Sequence, residues 1–193
     1  SLYINNFQEV KIQFKKKFFI FRTSLIGKLQ IKNLLMAICA AKVSKLNFDK
    51  ILRSITKIKP VHGRLEPVGN LLNRSKVILD YAHTPDALKS SLKDIKEQFS
   101  ESKINLVFGC GGERDKPKRK IMGKIANEYS NKIYLTDDNP RNENPKQIRN
   151  DIKRNIIKSK LFEIPSRKNA IKKAIQDLKA GEVLLIAGKG HEN

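Results

Sequence analysis

The chain has no tryptophan, only two cysteines, two methionines and three histidines, and aromatic residues make up 7% of its 193 positions. Two isolated thiols, Cys39 and Cys110, argue for a reducing compartment over a disulfide scaffold, with the cytoplasm as the default address. No pair of cysteines or histidines has metal-ligand spacing, which argues against a zinc site. Long hydrophobic runs are also missing. The longest uncharged apolar stretch, Leu34 to Ala41, is far short of the roughly 20 residues that cross a bilayer, so no membrane partner is expected. No secretory signal is visible, and Ser1 in the first position leads to the expectation that the true start is missing. No G-x-x-x-x-G-K-[ST] phosphate loop, G-x-G-x-x-G fingerprint or serine nucleophile elbow occurs.

Acidic residues are scarce too: 19 against 40 lysines and arginines, a formal charge of +21. Such an excess invites phosphate, and a basic nucleic-acid-binding module is the alternative reading from a different functional class. Against it, the basic residues are spread along the chain, with only short clusters at Lys15–Lys17 and Lys116–Lys120. RNA-recognition aromatics, zinc-finger spacing and a basic helix joined to heptads are all absent. The expectation is a protein without a nucleic-acid partner.

What is present is 39% hydrophobic and 31% charged residues, the composition of a globular protein with a real core. Residues 1 to 24 alternate apolar and charged positions, as in Val10–Phe14, the period of half-buried strands at the end of a sheet. Ile31, Leu34, Leu35, Ile38 and Ala41 then recur at helical spacing, and Asn47 is placed to cap a second helix over Phe48–Lys57. Pro60 and Gly63 break the pattern and predict a hinge, dividing the chain into residues 1–60 and 61–193.

Beyond it, strands and helices alternate, which predicts a mostly parallel sheet with helices on both faces. Strands are expected at 76–80, 104–108, 132–136 and 183–187, with a short segment at 161–164. Helices are expected at 86–99, near 118–129, from Asn144-Pro145 to about 158, and from a Ser166 cap to before Gly181.

In such a sheet the C-terminal strand ends converge on one edge and loops distant in sequence build one site. Four loops qualify: Asp80–Pro85, Gly109–Asp115, Thr136–Arg141 and Gly188–Glu192. Together they carry His, Arg, Asp, Asn, Lys and Glu, a mixture suited to a zwitterion. Arginine grips a carboxylate through two parallel hydrogen bonds, and Glu or Asp pairs with an ammonium. Taken singly each loop has a plainer reading. Gly109–Gly112 serves equally as a tight turn or as a cradle of backbone N–H groups, Asp137–Pro140 as turn chemistry, and His83 as a core histidine.

Five motifs in order, His62–Glu66, Asp80–Leu88, Gly109–Asp115, Asp138–Arg141 and Gly188–Glu192, make the chain resemble the Mur ligase family of peptidoglycan synthesis, in particular its diaminopimelate-adding members. The likeness implies an α/β fold: a Rossmann-like C-terminal domain over 61–193, preceded over 1–60 by the last part of a central ATP-binding domain. It implies ATP-dependent amide-bond ligation through an acyl phosphate, joining meso-diaminopimelate to UDP-N-acetylmuramoyl-L-alanyl-D-glutamate. ATP and Mg2+ are implied cofactors, with the phosphate loop and metal ligands upstream of Ser1. The implied protein is a cytoplasmic monomer whose partners are small molecules.

By the same resemblance Arg114, Asp138, Asn139, Pro140, Arg141, Gly188 and Glu192 contact diaminopimelate, Arg141 and Asn139 holding its far carboxylate and Glu192 its ammonium. Arg64 and His83 match positions that reach the nucleotide, and Asn33 one near adenine, although Gln30 replaces a second family asparagine. No residue is assigned a covalent catalytic role. A related ligase adding another amino acid shares the fold, and Arg141 is the residue that argues against it.

Overall fold

Alternating apolar and polar side chains at the start of the chain form an antiparallel meander of β1 (Leu2–Ile4), β2 (Phe7–Phe14) and β3 (Lys17–Thr23). The structure is a computed structural model that describes residues 2–4, 7–71 and 74–189. Val10 and Phe21 face each other across β2 and β3 and are buried with Leu25, Leu34, Ile38 and Ile55. Leu34 and Ile38 come from α1 (Lys28–Val43), and Ile55 from α2 (Phe48–Ile55). Asn47 caps α2 as expected, its Oδ1 accepting from the Lys50 amide at 3.1 Å. These elements lie within the first of two compact units, Ser1–Val61; the second is His62–Asn193.

The second unit is built on a six-stranded sheet in the order β4 (Glu66–Asn70), β5 (Lys76–Asp80), β9 (Val183–Ala187), β6 (Ile104–Phe108), β7 (Lys132–Leu135), β8 (Leu161–Glu163). All pairings are parallel except β4–β5. β6 and β9 are buried at every position, as strands covered on both faces must be; β9 is an uninterrupted apolar run, and the one polar residue of β6, Asn105, donates its Nδ2 to Glu182 Oε2 at 2.8 Å. β4 has no counterpart among the expected strands. Its sequence Glu-Pro-Val-Gly-Asn contains the two residues that strands avoid, and both are accommodated at the sheet edge, where the register slips between Pro67 and Gly69.

Crossover helices are α3 (Pro85–Gln98), α4 (Pro117–Tyr129), α5 (Pro145–Lys153) and α6 (Arg167–Gln176). α6 covers one face through Ala170 and Ala174 against Val107, Tyr134, Leu184 and Ile186. By the two-residue period of a strand, Leu106, Ile133 and Leu185 point to the other face, where α3 lies against β6, and α4 against α3 and α5.

α5 stops earlier than its periodicity suggests, whereas α6, at Gln176, ends before Gly181 as expected. After α5 the Ile157 amide donates to Asn127 Oδ1 at 3.0 Å and the chain enters a 3-10 turn at Lys158–Lys160. After α6 the carboxylate of Asp177 accepts from Tyr134 Oη at 2.9 Å. At α5 the Asn127 side chain replaces the next helical acceptor, whereas at α6 the Asp177 amide keeps its helical bond to the Lys173 carbonyl at 3.0 Å and the Leu178 amide turns to that of Ile175.

α4 and α5 cross closely at Gly123, where an added Cβ would stand 2.1 Å from the Ile152 carbonyl oxygen. Gly123→Ala is therefore expected to destabilise the unit by about 1–3 kcal/mol through overpacking, outweighing the gain of about 1 kcal/mol in helix propensity. Urea denaturation measures this, and a midpoint equal to or above the parent's would contradict the packing argument.

Candidate substrate-binding cleft

β5, β9, β6 and β7 are parallel neighbours, so the loops that follow them stand side by side at one sheet edge. They enclose a cleft of about 620 Å³. Tyr81, His83, Thr84 and Pro85 line it from the β5 loop, Gly111, Arg114, Asp115 and Lys118 from the β6 loop and α4, Asp138, Asn139 and Arg141 from the β7 loop, and Gly188 from β9.

The β7 loop owes its shape to its own side chains. Asp138 Oδ1 accepts from the Asn139 amide at 2.8 Å and Asn139 Oδ1 from the Arg141 amide at 3.2 Å, successive Asx contacts that turn the chain. Arg141 is left with φ 51°, a conformation that costs a non-glycine residue on the order of 1 kcal/mol or more. Its Nη1 donates to the Gly112 carbonyl at 2.6 Å, which pins the guanidinium beside the neighbouring loop. Pro140 forms the back of the turn. Asp137 points away from this geometry and is ion-paired to Arg149 on α5, which also binds Glu163 through Nε at 2.9 Å. The preceding Thr136 hydroxyl donates to the Pro165 carbonyl at 2.9 Å.

The glycines of the β6 loop permit a close approach. A Cβ on Gly109 would lie 2.4 Å from the Thr136 carbonyl oxygen, and one on Gly112 1.9 Å from that of Pro140. The Gly112 amide donates to the Asn139 carbonyl at 2.8 Å. Neither side chain fits, so the two loops make one backbone-to-backbone floor. Cys110, buried at its start, has its thiol pushed up to about 12 by burial. It is a packing residue rather than a nucleophile.

On the other side, the buried Asp80 at the end of β5 accepts from the Leu65 amide at 2.8 Å and the Ala82 amide at 2.7 Å, with the Ser91 hydroxyl at 3.3 Å. Burial pushes its carboxyl above the usual range, against the pull of those hydrogen bonds and of Arg64. Glu66 closes the preceding turn, taking the Gly63 amide at 2.9 Å and His62 Nδ1 at 2.8 Å. The turn carries the exposed Arg64, whose guanidinium lies 5.1 Å from the centroid of the Tyr81 ring. Tyr81 meets His83 edge-on at 4.6 Å, and His83 Nδ1 lies 3.0 Å from the Tyr81 carbonyl.

His83, Arg114, Asp138, Asn139, Arg141 and Gly188 thus share one cleft. Arg64 stands behind Tyr81. Asn33 belongs to the first unit, exposed on α1. Glu192 lies outside the described residues. Lys118 was missed by the motif reading: it lines the cleft from α4, its Nζ donating to the His83 carbonyl at 3.1 Å and tying two loops together. Its signal was present in the Lys116–Lys120 cluster, which reads as surface charge until the helix N-terminus is placed. Lys189 approaches Asp138 Oδ1 at 3.8 Å. Among the described residues no group of three or more His, Cys, Asp or Glu side chains is arranged to hold a metal ion. No helix among them is long and apolar enough to cross a membrane.

A parallel α/β domain with a polar, cation-lined cleft at its strand ends is a ligand-binding domain of the doubly wound class. The family model described as "Mur ligase, glutamate ligase domain" matches residues 63–190, and the chain belongs to the Mur ligase family. It is 45% identical over 187 residues to the UDP-N-acetylmuramoyl-L-alanyl-D-glutamate--2,6-diaminopimelate ligase of Rickettsia bellii, covering 96% of this chain and 39% of that protein. The ligase of the same name from Buchnera aphidicola is 42% identical over 176 residues, covering 90% of this chain and 34% of that one. A solved structure of a ligase with this name superposes with a TM-score of 0.71 at 36% identity, over 96% of this chain and 38% of the other. UDP-N-acetylmuramate-alanine ligase from Thermotoga maritima shares the fold with the same TM-score, 0.71, at 21% identity, over 92% and 38%. The chain therefore spans well under half the length of the relatives it matches.

Glu143, just past the β7 loop, accepts from Arg119 Nη2 at 2.9 and 3.0 Å and from the Glu113 amide at 2.5 Å. The Arg119 hydrogen bonds, then the Glu113 amide, lower its pKa from 4.5 to about 2. A carboxylate with a depressed folded-state pKa stabilises fully above its unfolded value and loses that contribution as pH falls through the folded one. The stability advantage of the parent over Glu143→Gln should thus be constant above pH 4.5 and shrink as pH falls toward about 2. Urea titrations from about pH 6 to about pH 3 read it, and an advantage independent of pH would contradict the assignment.

Proposed function

We propose that the chain is the amino-acid-recognising part of an ATP-dependent ligase that joins meso-diaminopimelate to the D-glutamate side-chain carboxylate of UDP-N-acetylmuramoyl-L-alanyl-D-glutamate. The observation that carries this reading is Arg141, held at the cleft on the Gly112 carbonyl with Arg114 lining the same space, in a chain 45% identical to a ligase so named. Diaminopimelate is lysine with a second carboxylate. A guanidinium at the far end of the cleft has a partner in the first and none in the second.

Residues 61–193 are on this reading the C-terminal amino-acid-binding domain, and 1–60 the end of the central nucleotide-binding domain. Asp138, Asn139, Pro140 and Gly188 shape the pocket around the amino acid, and Glu192 faces its ammonium. Arg64, His83 and Asn33 serve the nucleotide. Two free cysteines, one exposed and one buried, accord with a cytoplasmic protein.

ATP, as substrate, transfers its terminal phosphoryl group to a carboxylate oxygen, ADP leaving with the electron pair of the broken P–O bond. The neutral amino group then attacks the acyl carbon, the amide C–N bond forms, phosphate leaves with the C–O bonding pair, and the nitrogen gives up a proton to water. This chain's contribution is orientation: the two arginines fix the amino acid by its carboxylates, so that attack becomes effectively intramolecular. Lys118, tied to the His83 carbonyl at 3.1 Å, adds positive charge where phosphate charge develops. The family also implies Mg2+, which the described residues offer no cluster to hold, and no step here passes through it.

In the complete ligase, Arg141→Ala is expected to abolish the preference for diaminopimelate over lysine and leave the KM for ATP unchanged. Steady-state kinetics with both amino acids test it, and unchanged amino-acid kinetics would sink the assignment. The 193-residue chain itself, which contains no phosphate loop, is expected to turn over no ATP. Magnesium-dependent phosphate release by the pure chain would contradict that.

A further inference from the structure

Glu143 belongs to none of the five motifs, yet its carboxylate is the junction of the cleft floor. Both oxygens take Arg119 Nη2, at 2.9 and 3.0 Å, and one also takes the Glu113 amide at 2.5 Å. Lys116 stands 3.9 Å away. Arg119 is 1% exposed and cannot drift: its Nη1 donates to Asp151 Oδ2 on α5 at 3.2 Å.

The consequence lies in what these residues adjoin. Glu113 immediately precedes Arg114, and Glu143 follows Arg141 by two positions. Glu113 and Arg141 have φ of 50° and 51°, the left-handed region that non-glycine residues leave readily when nothing holds them. Arg141 is held by Asn139 and Gly112, within the floor. Glu113 is held by Glu143 through its amide, and its own Oε1 accepts from Asn142 Nδ2 at 2.7 Å. One carboxylate, carried by the loop of one cleft arginine, is thus bonded to the residue beside the other.

We infer that Glu143, braced by the buried Arg119, is a positioning residue that sets the spacing of Arg114 and Arg141 and so makes the pocket selective for an amino acid with two carboxylates. The inference rests on the reading of the cleft as a diaminopimelate site. A ligand with one carboxylate can follow the guanidinium it meets, so a change in the spacing of the two penalises the ligand that must meet both, and lysine lacks the second carboxylate.

The test is an NMR-monitored titration of the 193-residue chain with meso-diaminopimelate and, separately, L-lysine, for the parent, Glu143→Gln and Glu143→Ala. In Glu143→Ala the affinity for diaminopimelate is expected to fall about tenfold or more, the scale of one charge-assisted hydrogen bond, with lysine affinity unchanged. Glu143→Gln keeps the shape and one acceptor for the Glu113 amide, and the ratio should fall by an intermediate factor of about three or more. A ratio equal to the parent's in both variants, or equal losses for both ligands, overturns the inference, the latter showing a merely structural role. If Glu143→Ala does not fold, Glu143→Gln alone decides by the same criteria. A parent chain with no preference for diaminopimelate overturns the reading of the cleft itself, and the inference with it.

Discussion

The cleft depends on the approach of two backbones. Gly109 and Gly112 bring the loop after β6 against the carbonyls of Thr136 and Pro140 at distances that leave no room for a Cβ. That contact gives the Arg141 guanidinium a carbonyl to rest on and the Gly112 amide an acceptor in Asn139. Two loops distant in sequence thereby form one wall through a backbone-to-backbone contact. The glycines of this loop serve packing between loops, which distinguishes them from the phosphate-cradling glycines of nucleotide-binding fingerprints.

Charge follows the same logic. Acidic residues are few, and several are spent on fixing buried arginines: Glu143 and Asp151 on Arg119, Asp137 and Glu163 on Arg149. Each of these arginines is nearly inaccessible and stands between α4 or α5 and the loops of the cleft. A guanidinium taken out of water is tolerable only where carboxylates meet several of its donors, and the geometry that does so here also fixes loop positions. Arg114 and Arg141 sit instead at the open edge, where a ligand can meet them.

The sheet and its helices are common to differently named ligases. UDP-N-acetylmuramate-alanine ligase of Thermotoga maritima has the same fold at 21% identity. The architecture presents strand ends; the loops decide what binds there. In this chain Asp138, Asn139 and Arg141, with the residues that hold them, line the cleft at those strand ends.

The amino-acid sequence by itself determined the strands and most helix starts, because apolar period and capping residues such as Asn47, Asn144 and Ser166 are local signals. It also determined the four strand-end loops, since each follows an apolar run. It did not show β4, whose proline and glycine are tolerated only at an edge that exists once the sheet has formed. It did not show the early end of α5, where the Ile157 amide takes Asn127 Oδ1 from elsewhere in the chain. Only the tertiary structure decided that the last strand lies between β5 and β6, which sets Gly188 between the His83 and Gly111 loops. Strand order is a matter of long-range pairing, and no local pattern encodes it. The roles of Glu143 and Arg119 were hidden for the same reason. Their chemistry lies in contacts across 24 residues, whereas a motif reports only on its neighbours.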